Sequence, residues 1–191
     1  MIDWLENIDQ KLLFFINGLH SPFLDDVMWV ISEKYFGIPV YALLVFLAYR
    51  SFGLKGMFIF LVLGGLSVGL SDLTAKYFFK EVFLRYRPSQ NLELTDQLHY
   101  VNNYKGGTYG FISNHSSNMF AITVFALLSL WKPINSNWLL MLILFPVIVA
   151  LSRVYLGVHY PSDVFVGAIW GTFIGWIFYR IFEGFLKMQK E

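Results

Sequence analysis

The chain has 191 residues, of which 57% are hydrophobic and 14% charged, with no cysteine and a formal net charge of +1. Ordinary soluble domains carry about 25% charged residues, so this is the composition of an integral membrane protein. The lack of cysteine excludes disulfides, thiol catalysis and thiolate metal sites. The balanced charge gives no general attraction to nucleic acid or anionic lipid.

The length fits one domain over residues 1–191. In residues 2–19, Ile2, Leu5, Ile8, Leu12, Phe15, Ile16 and Leu19 fall on one helical face, with Asp3, Glu6, Asp9 and Gln10 largely opposite. The apolar part is too short to span, since spanning takes about 20 residues. The stretch therefore reads as an amphipathic helix that lies in the membrane interface or packs on the bundle. Its acidic character, with Lys11 alone against three carboxylates, is unlike a secretory leader. Asn17-Gly18 ends it and Ser21-Pro22 restarts the chain.

A first span is expected from about Val27 to Tyr49, with Glu33 and Lys34 in its outer part. A second runs from about Gly56 to Phe79, where Gly64, Gly65 and Gly69 offer a small-residue face for close packing. Asp72 in this span is costly unless paired or facing a polar cavity, so it is a candidate for an interhelical clasp or for a supporting role behind the site. Residues 80–114 form the one long polar segment and are expected to fold back over the bundle and frame a site. A third span opens at Ser113-Asn114-His115, where Ser and Asn are strong caps, and runs to about Trp131. A fourth runs from about Trp138 to Ser152, with a kink expected at Pro146. A fifth runs from about Pro161 to Phe182. The fold class is thus an all-α membrane helical bundle of about five transmembrane helices plus the N-terminal amphipathic helix.

Five alternating spans put Lys80 and Arg87, Ser113 to His115, Arg153, and His159 with Asp163 on one side of the membrane. His159 and Asp163 are four apart and can touch, which would fix the imidazole tautomer. Cations, histidines and helix N-termini converging there suit a dense dianion, phosphate foremost. Arg50, Lys55, Lys132, Arg180, Lys187 and Lys190 lie on the other side, which the positive-inside rule makes cytoplasmic. His20 reads as structural or interfacial, and His99 as a possible contact for a head group.

Lys80-x6-Arg87-Pro88, Ser113-Asn114-His115 and Ser152-Arg153-x5-His159-x3-Asp163 together resemble the three-part signature of the type 2 phosphatidic acid phosphatase superfamily. The resemblance covers the chain from about the first span to the end of the fifth. It implies a metal-independent, cofactor-free lipid phosphatase of the bacterial inner membrane working through a phosphohistidine, and the charge asymmetry turns its site outward. His159 would be the nucleophile, Asp163 its partner and His115 the acid and base. Lys80, Arg87, Arg153, Ser113 and the Asn114 N–H would hold phosphate. The family's Pro-Ser-Gly-His is here Ile112-Ser113-Asn114-His115. Asn is the next best residue for a positive φ, so the backbone bend is expected to survive. Undecaprenyl diphosphate is the first expectation for substrate, with phosphatidic acid, phosphatidylglycerophosphate and lipid A phosphates as alternatives. Transfer to another lipid and non-catalytic binding of a lipid phosphate also remain open, as does the oligomeric state.

Overall fold

The computed structural model of the protein describes residues 3–188. Ile2 and Lys190, used in the sequence reading, lie outside them.

Helix α1 (Asp3–Asn17) leaves most of its apolar face open, as a helix in the membrane interface would, and turns part of its polar face to the protein. Trp4, Leu12 and Phe15 are exposed, whereas Asp9, Leu13 and Asn17 are buried against the rest of the chain. A membrane-facing helix has this arrangement because lipid solvates its apolar side while the protein supplies partners for its polar side. Asn17 does more than end the helix. Its amide donates to the carbonyls of His99 and Tyr155 at 2.9 and 2.7 Å and accepts from the His99 N–H at 2.9 Å. Helix α2 (Pro22–Ser32) begins with Ser21 as N-cap and Pro22 at its first position, where a missing N–H costs nothing.

The first span does not run through from Val27. Glu33 is extended and ends α2, a short 3-10 turn follows over Lys34–Gly37, and α3 starts at Ile38 (Ile38–Thr74). Glu33 and Lys34 thus sit at a break between helices. No ion pair joins them, and both line a cavity. Inside α3, Gly53 has φ 67° and ψ −175°, outside the helical region. Tyr41 and Asp72 nevertheless line one cavity, although a straight helix would hold them about 45 Å apart at 1.5 Å per residue. The chain therefore doubles back at Gly53, a conformation that favours glycine. Leu44 and Ala48 of the first arm share a buried cluster with Phe60 and Leu63 of the second. The expected first and second spans are the two arms of this hairpin.

Among the described residues, four stretches are long and apolar enough to cross a membrane: Lys34–Phe83, Asn114–Ile134, Asn137–Tyr155 and Pro161–Met188. The first is the hairpin, so the bundle makes the five passes expected. The second arm ends in a π-helical turn, Ala75–Lys80, and the short α4 (Glu81–Phe83). Residues 84–113 then fold back in 3-10 turns, with Tyr86 bridging to Tyr109. Helix α5 (Asn114–Ile134) is capped by Ser113. A 3-10 segment, Asn137–Ile143, passes into α6 (Leu144–Tyr155). Pro146 falls in the first turn of α6, so the change of helix type comes just before it and takes the place of a kink at the proline itself. Helix α7 (Pro161–Met188) opens at Pro161.

The tightest contact is between α5 and α7. A Cβ at Gly167, Gly171 or Gly175 would stand 2.9, 2.1 or 2.5 Å from the carbonyl oxygens of Ser113, Ser117 and Ala121. Small residues four apart let two backbones touch, which matters in lipid because the hydrophobic effect does not drive helices together there. The face expected from Gly64, Gly65 and Gly69 is used only in part. Gly64 packs on Ile122 and Phe125, while a Cβ at Gly65 or Gly69 would meet nothing within 4 Å. The α5–α7 contact brings the start of both helices, and with them the polar residues, to one end of the bundle.

Candidate active site

The turn from α6 to α7 carries the central pair. Gly157, at φ 68°, turns the chain after α6, and α7 starts four residues later. His159 and Asp163 are about fully buried. Asp163 Oδ2 lies 3.3 Å from His159 Nδ1 and accepts from the Tyr160 N–H at 3.0 Å. With Nδ1 held by a carboxylate, Nε2 is the nitrogen left for chemistry. Burial first, then the positive charges of Arg87, Arg153 and Lys80, holds the His159 imidazole well below the ordinary histidine range. It is therefore neutral at neutral pH, with a lone pair available.

The other expected residues converge on this pair. His159 feels the charges of Arg87, Arg153, Lys80 and His115. Arg153, at the end of α6, is 3% exposed. Its guanidinium contacts the Ser32 hydroxyl and donates to Tyr104 Oη at 3.2 Å, while its buried Nε has no partner among the described residues. Arg87 enters from the loop and donates to the carbonyls of Tyr109 and Val158 at 3.3 and 3.4 Å. Burial and the nearby Arg153 push its guanidinium down from the ordinary arginine range. Gly110 lets the Arg87 stalk pass beside Asp163, because a Cβ there would stand 3.1 Å from both. Lys80 closes the group from the last residue of the π-helical turn, an irregularity frequent at functional sites.

Ser113 is fully buried. Its oxygen accepts from the Ser116 N–H as the α5 cap, which leaves the hydroxyl hydrogen to donate elsewhere. Its N–H donates to the Asp163 carbonyl at 3.0 Å, tying α5 to α7. The bend expected at Asn114 is not made. Asn114 is the first residue of α5, and the left-handed non-glycine residues are Leu84, Asn102, Asn103 and Asn135. Its side chain turns to Asp72, donating to Oδ1 at 2.7 Å, and Asn118 donates to the same atom at 3.0 Å. Asp72 is thus a clasp between α3 and α5 that also faces the cavity.

His115 stands where two cavities meet. One of about 340 Å³ is lined by Glu33, Lys34, Asp72, Asn114, His115 and Asn118 among others. The other, about 210 Å³, includes Trp29, Tyr104, His115 and Arg153. Among the described residues no group of three or more His, Asp or Glu stands close enough to share a metal ion. At the opposite end two of the basic residues, Lys132 and Lys187, line one cavity together with Ser51 and Glu183.

Sequence reasoning left Arg85, Asp9, Ser162, Ser32 and Tyr104 out of the site. Arg85 spans Asp163 Oδ1 and Asp9 Oδ2 at 2.8 and 2.7 Å. No local spacing marks that pairing. His99, a possible head-group contact in the sequence, is instead bound to Asp25 at 2.8 Å and stacked on His20.

Residues 57–187 match the sequence profile of the PAP2 superfamily. The chain is 36% identical to a lipid A 4'-phosphatase of Bacteroides thetaiotaomicron, over 95% of this chain and 80% of that protein. It is 28% identical to the undecaprenyl-diphosphatase BcrC of Bacillus subtilis, over 86% of this chain and 79% of that protein. Its fold is similar to the crystal structure of a transmembrane PAP2-type phosphatidylglycerolphosphate phosphatase from Bacillus subtilis, with a TM-score of 0.69 at 23% identity over 94% of this chain and 87% of that one.

Proposed function

The chain belongs to the PAP2 superfamily and is a membrane lipid phosphatase, and we propose that it removes the 4'-phosphate of a lipid A-type saccharide lipid. The observation that carries the substrate is the likeness to a lipid A 4'-phosphatase, which exceeds the likeness to an undecaprenyl-diphosphatase. The expectation of undecaprenyl diphosphate therefore gives way as first choice. The cavity beside His115 can take such a head group, with Asp72, Asn118, Glu33 and Lys34 on its wall to hydrogen-bond a sugar and Ile31, Phe36, Phe145 and Val149 to meet apolar parts of the lipid.

The mechanism we infer runs in two steps. His159 Nε2 attacks phosphorus as the bond to the leaving sugar oxygen breaks, and His115 gives that oxygen its proton. Asp163 holds Nδ1–H and balances the charge gained by the ring. Lys80, Arg87 and Arg153 take the three equatorial oxygens, where charge gathers in the transition state. The unpartnered Arg153 Nε–H is a donor an anion would satisfy. Water then attacks phosphorus, the N–P bond breaks, and His115 takes the proton of the water. Inorganic phosphate leaves and His159 is restored. Permanent cations fill the charge-neutralising role that Mg²⁺ has in other phosphoryl-transfer sites. By the positive-inside rule, the basic end holding Lys132 and Lys187 faces the cytoplasm and the site faces outward.

The test is phosphate release by purified protein in detergent with EDTA present. The substrates are a lipid A bisphosphate, undecaprenyl diphosphate and phosphatidylglycerophosphate, with mass spectrometry to locate the phosphate lost. Loss of the 4'-phosphate by the native protein and no loss by His159→Ala is expected. Preferential release from undecaprenyl diphosphate would overturn the substrate assignment.

A further inference from the structure

Asp9 is a carboxylate on a membrane-facing helix, yet it is 3% exposed and points into the protein. It accepts from Arg85 at 2.7 Å and from the Ser162 N–H at 2.8 Å, and it contacts the Ser162 hydroxyl. Arg85 donates from its other terminal nitrogen to Asp163 Oδ1 and to Ser162 Oγ, each at 2.8 Å. Its guanidinium lies over the Tyr160 ring, 4.0 Å from the centroid. The side chains of Asp9, Arg85, Asp163 and His159 are 4, 8, 0 and 1% exposed. A continuous buried chain thus runs from α1 to the imidazole.

We propose that Asp9 and Arg85 are positioning residues for phosphoryl transfer, acting through Asp163 to orient and balance His159. This rests on His159 being the nucleophile. The physical case has two parts. Asp163 has two oxygens, and the fork of Arg85 fixes one so that the other faces Nδ1. A free carboxylate would rotate and leave the tautomer undefined. A cation paired with Asp163 alone would also cancel the charge needed when the ring becomes a phosphorylated imidazolium. Asp9 shares that cation, so Asp163 keeps charge to offer the ring. The groups facing His159 from the other elements, Lys80, Arg87, Arg153 and His115, are cationic or neutral, so among the described residues Asp163 is the anion in contact with it.

The experiment compares Asp9→Asn, Arg85→Lys, Arg85→Met and the control His159→Ala in the full-length protein, with phosphate release from the lipid panel above and ¹⁵N-histidine spectra. Asn fits the Asp9 site without change of size, removes the charge and puts an amide donor in place of one of the two accepting oxygens. Asp9→Asn is expected to lower kcat about tenfold with KM within about twofold, the scale of a small misplacement at a reacting centre. The His159 signal, in the Nδ1–H tautomer in the native protein, should move towards a tautomer mixture in Asp9→Asn. Arg85→Lys, which keeps the charge and loses the fork, should recover part of what Arg85→Met loses. The spectra need no substrate, so a wrong substrate assignment leaves the comparison standing. Native kcat in Asp9→Asn, a loss in KM alone, or a kcat loss with an unmoved His159 signal would overturn the positioning role. Phosphate release surviving in His159→Ala would overturn the nucleophile assignment and this proposal with it.

Discussion

Gly171 lies so close to Ser117 that a Cβ built on it would stand 2.1 Å from the Ser117 carbonyl oxygen and 2.8 Å from its carbon. Both neighbours are helix backbone, which does not swing aside as a side chain does. The helices can touch here because position 171 has no side chain, and the contact sets how near His115 on α5 stands to Asp163 on α7.

Gly171→Ala should therefore push α5 from α7. The expected cost is about 1–3 kcal/mol, the usual penalty for overpacking a close contact, read as a lowered thermal midpoint in detergent. Gly65→Ala, with nothing within 4 Å of the added carbon, is the control and should keep the midpoint or raise it slightly, since alanine favours a helix over glycine.

The two histidines should fail differently. His159→Ala removes the atom that takes the phosphoryl group, so no phosphoenzyme forms and release stops. His115→Ala should slow release by about 10²–10⁴, the usual share of a general acid or base. A substrate with a good leaving group, such as an aryl phosphate, needs no acid in the first step. With it, His115→Ala should show a burst of phosphoenzyme and slow turnover, visible by rapid quench. A burst rate slowed with the aryl phosphate as much as with the lipid would argue against the acid role given to His115.

Acidification offers a further check. Burial, then Arg87, Arg153 and Lys80, depresses His159 in the folded state. The folded imidazole thus stays neutral where the unfolded one, with its value of about 6.5, is protonated. Above that value the group contributes nothing to stability. As pH falls below it, the unfolded chain takes up the proton first, and stability is lost progressively until the folded value is reached. The nucleophile remains active over the same window. The acid limb of kcat/KM assigned to His159 should lie below pH about 6.5, and His159→Gln should remove this part of the acid destabilisation.

Asn114→Gly restores the family's usual residue and removes the 2.7 Å bond to Asp72. Asn118 still donates to Asp72 at 3.0 Å, so the carboxylate keeps one partner. A cost of about 1 kcal/mol is expected, one hydrogen bond to a charged group with partial compensation. The kcat should hold, because the amide faces Asp72 and the α5 N–H groups remain. A kcat drop of tenfold or more would give the Asn114 amide a direct part in holding phosphate.

The sequence by itself determined the membrane-helix class, the number of passes and, through its three motifs, the lipid phosphatase family. Long apolar runs dictate helices because lipid offers backbone groups no other partner. His159 and Asp163 meet because Asp163, in the first turn of α7, reaches back over the residues that lead into the helix, and Ser113 and Pro161 mark helix starts by local hydrogen bonding and a fixed φ. The small-residue face expected from the sequence lies at Gly64, Gly65 and Gly69, and only the fold shows that the closest approach is at Gly167, Gly171 and Gly175. What the tertiary structure decided is long-range. Asp9 and Arg85 lie 76 residues apart, and no periodicity marks Asp9 as inward, since an outward carboxylate on α1 would give the same pattern. The hairpin at Gly53, the turning of Asn114 towards Asp72 and the pairing of His99 with Asp25 are likewise contacts between distant segments. Local rules place a residue on a face of its own helix. Which charge stands opposite that face is set only when the helices pack.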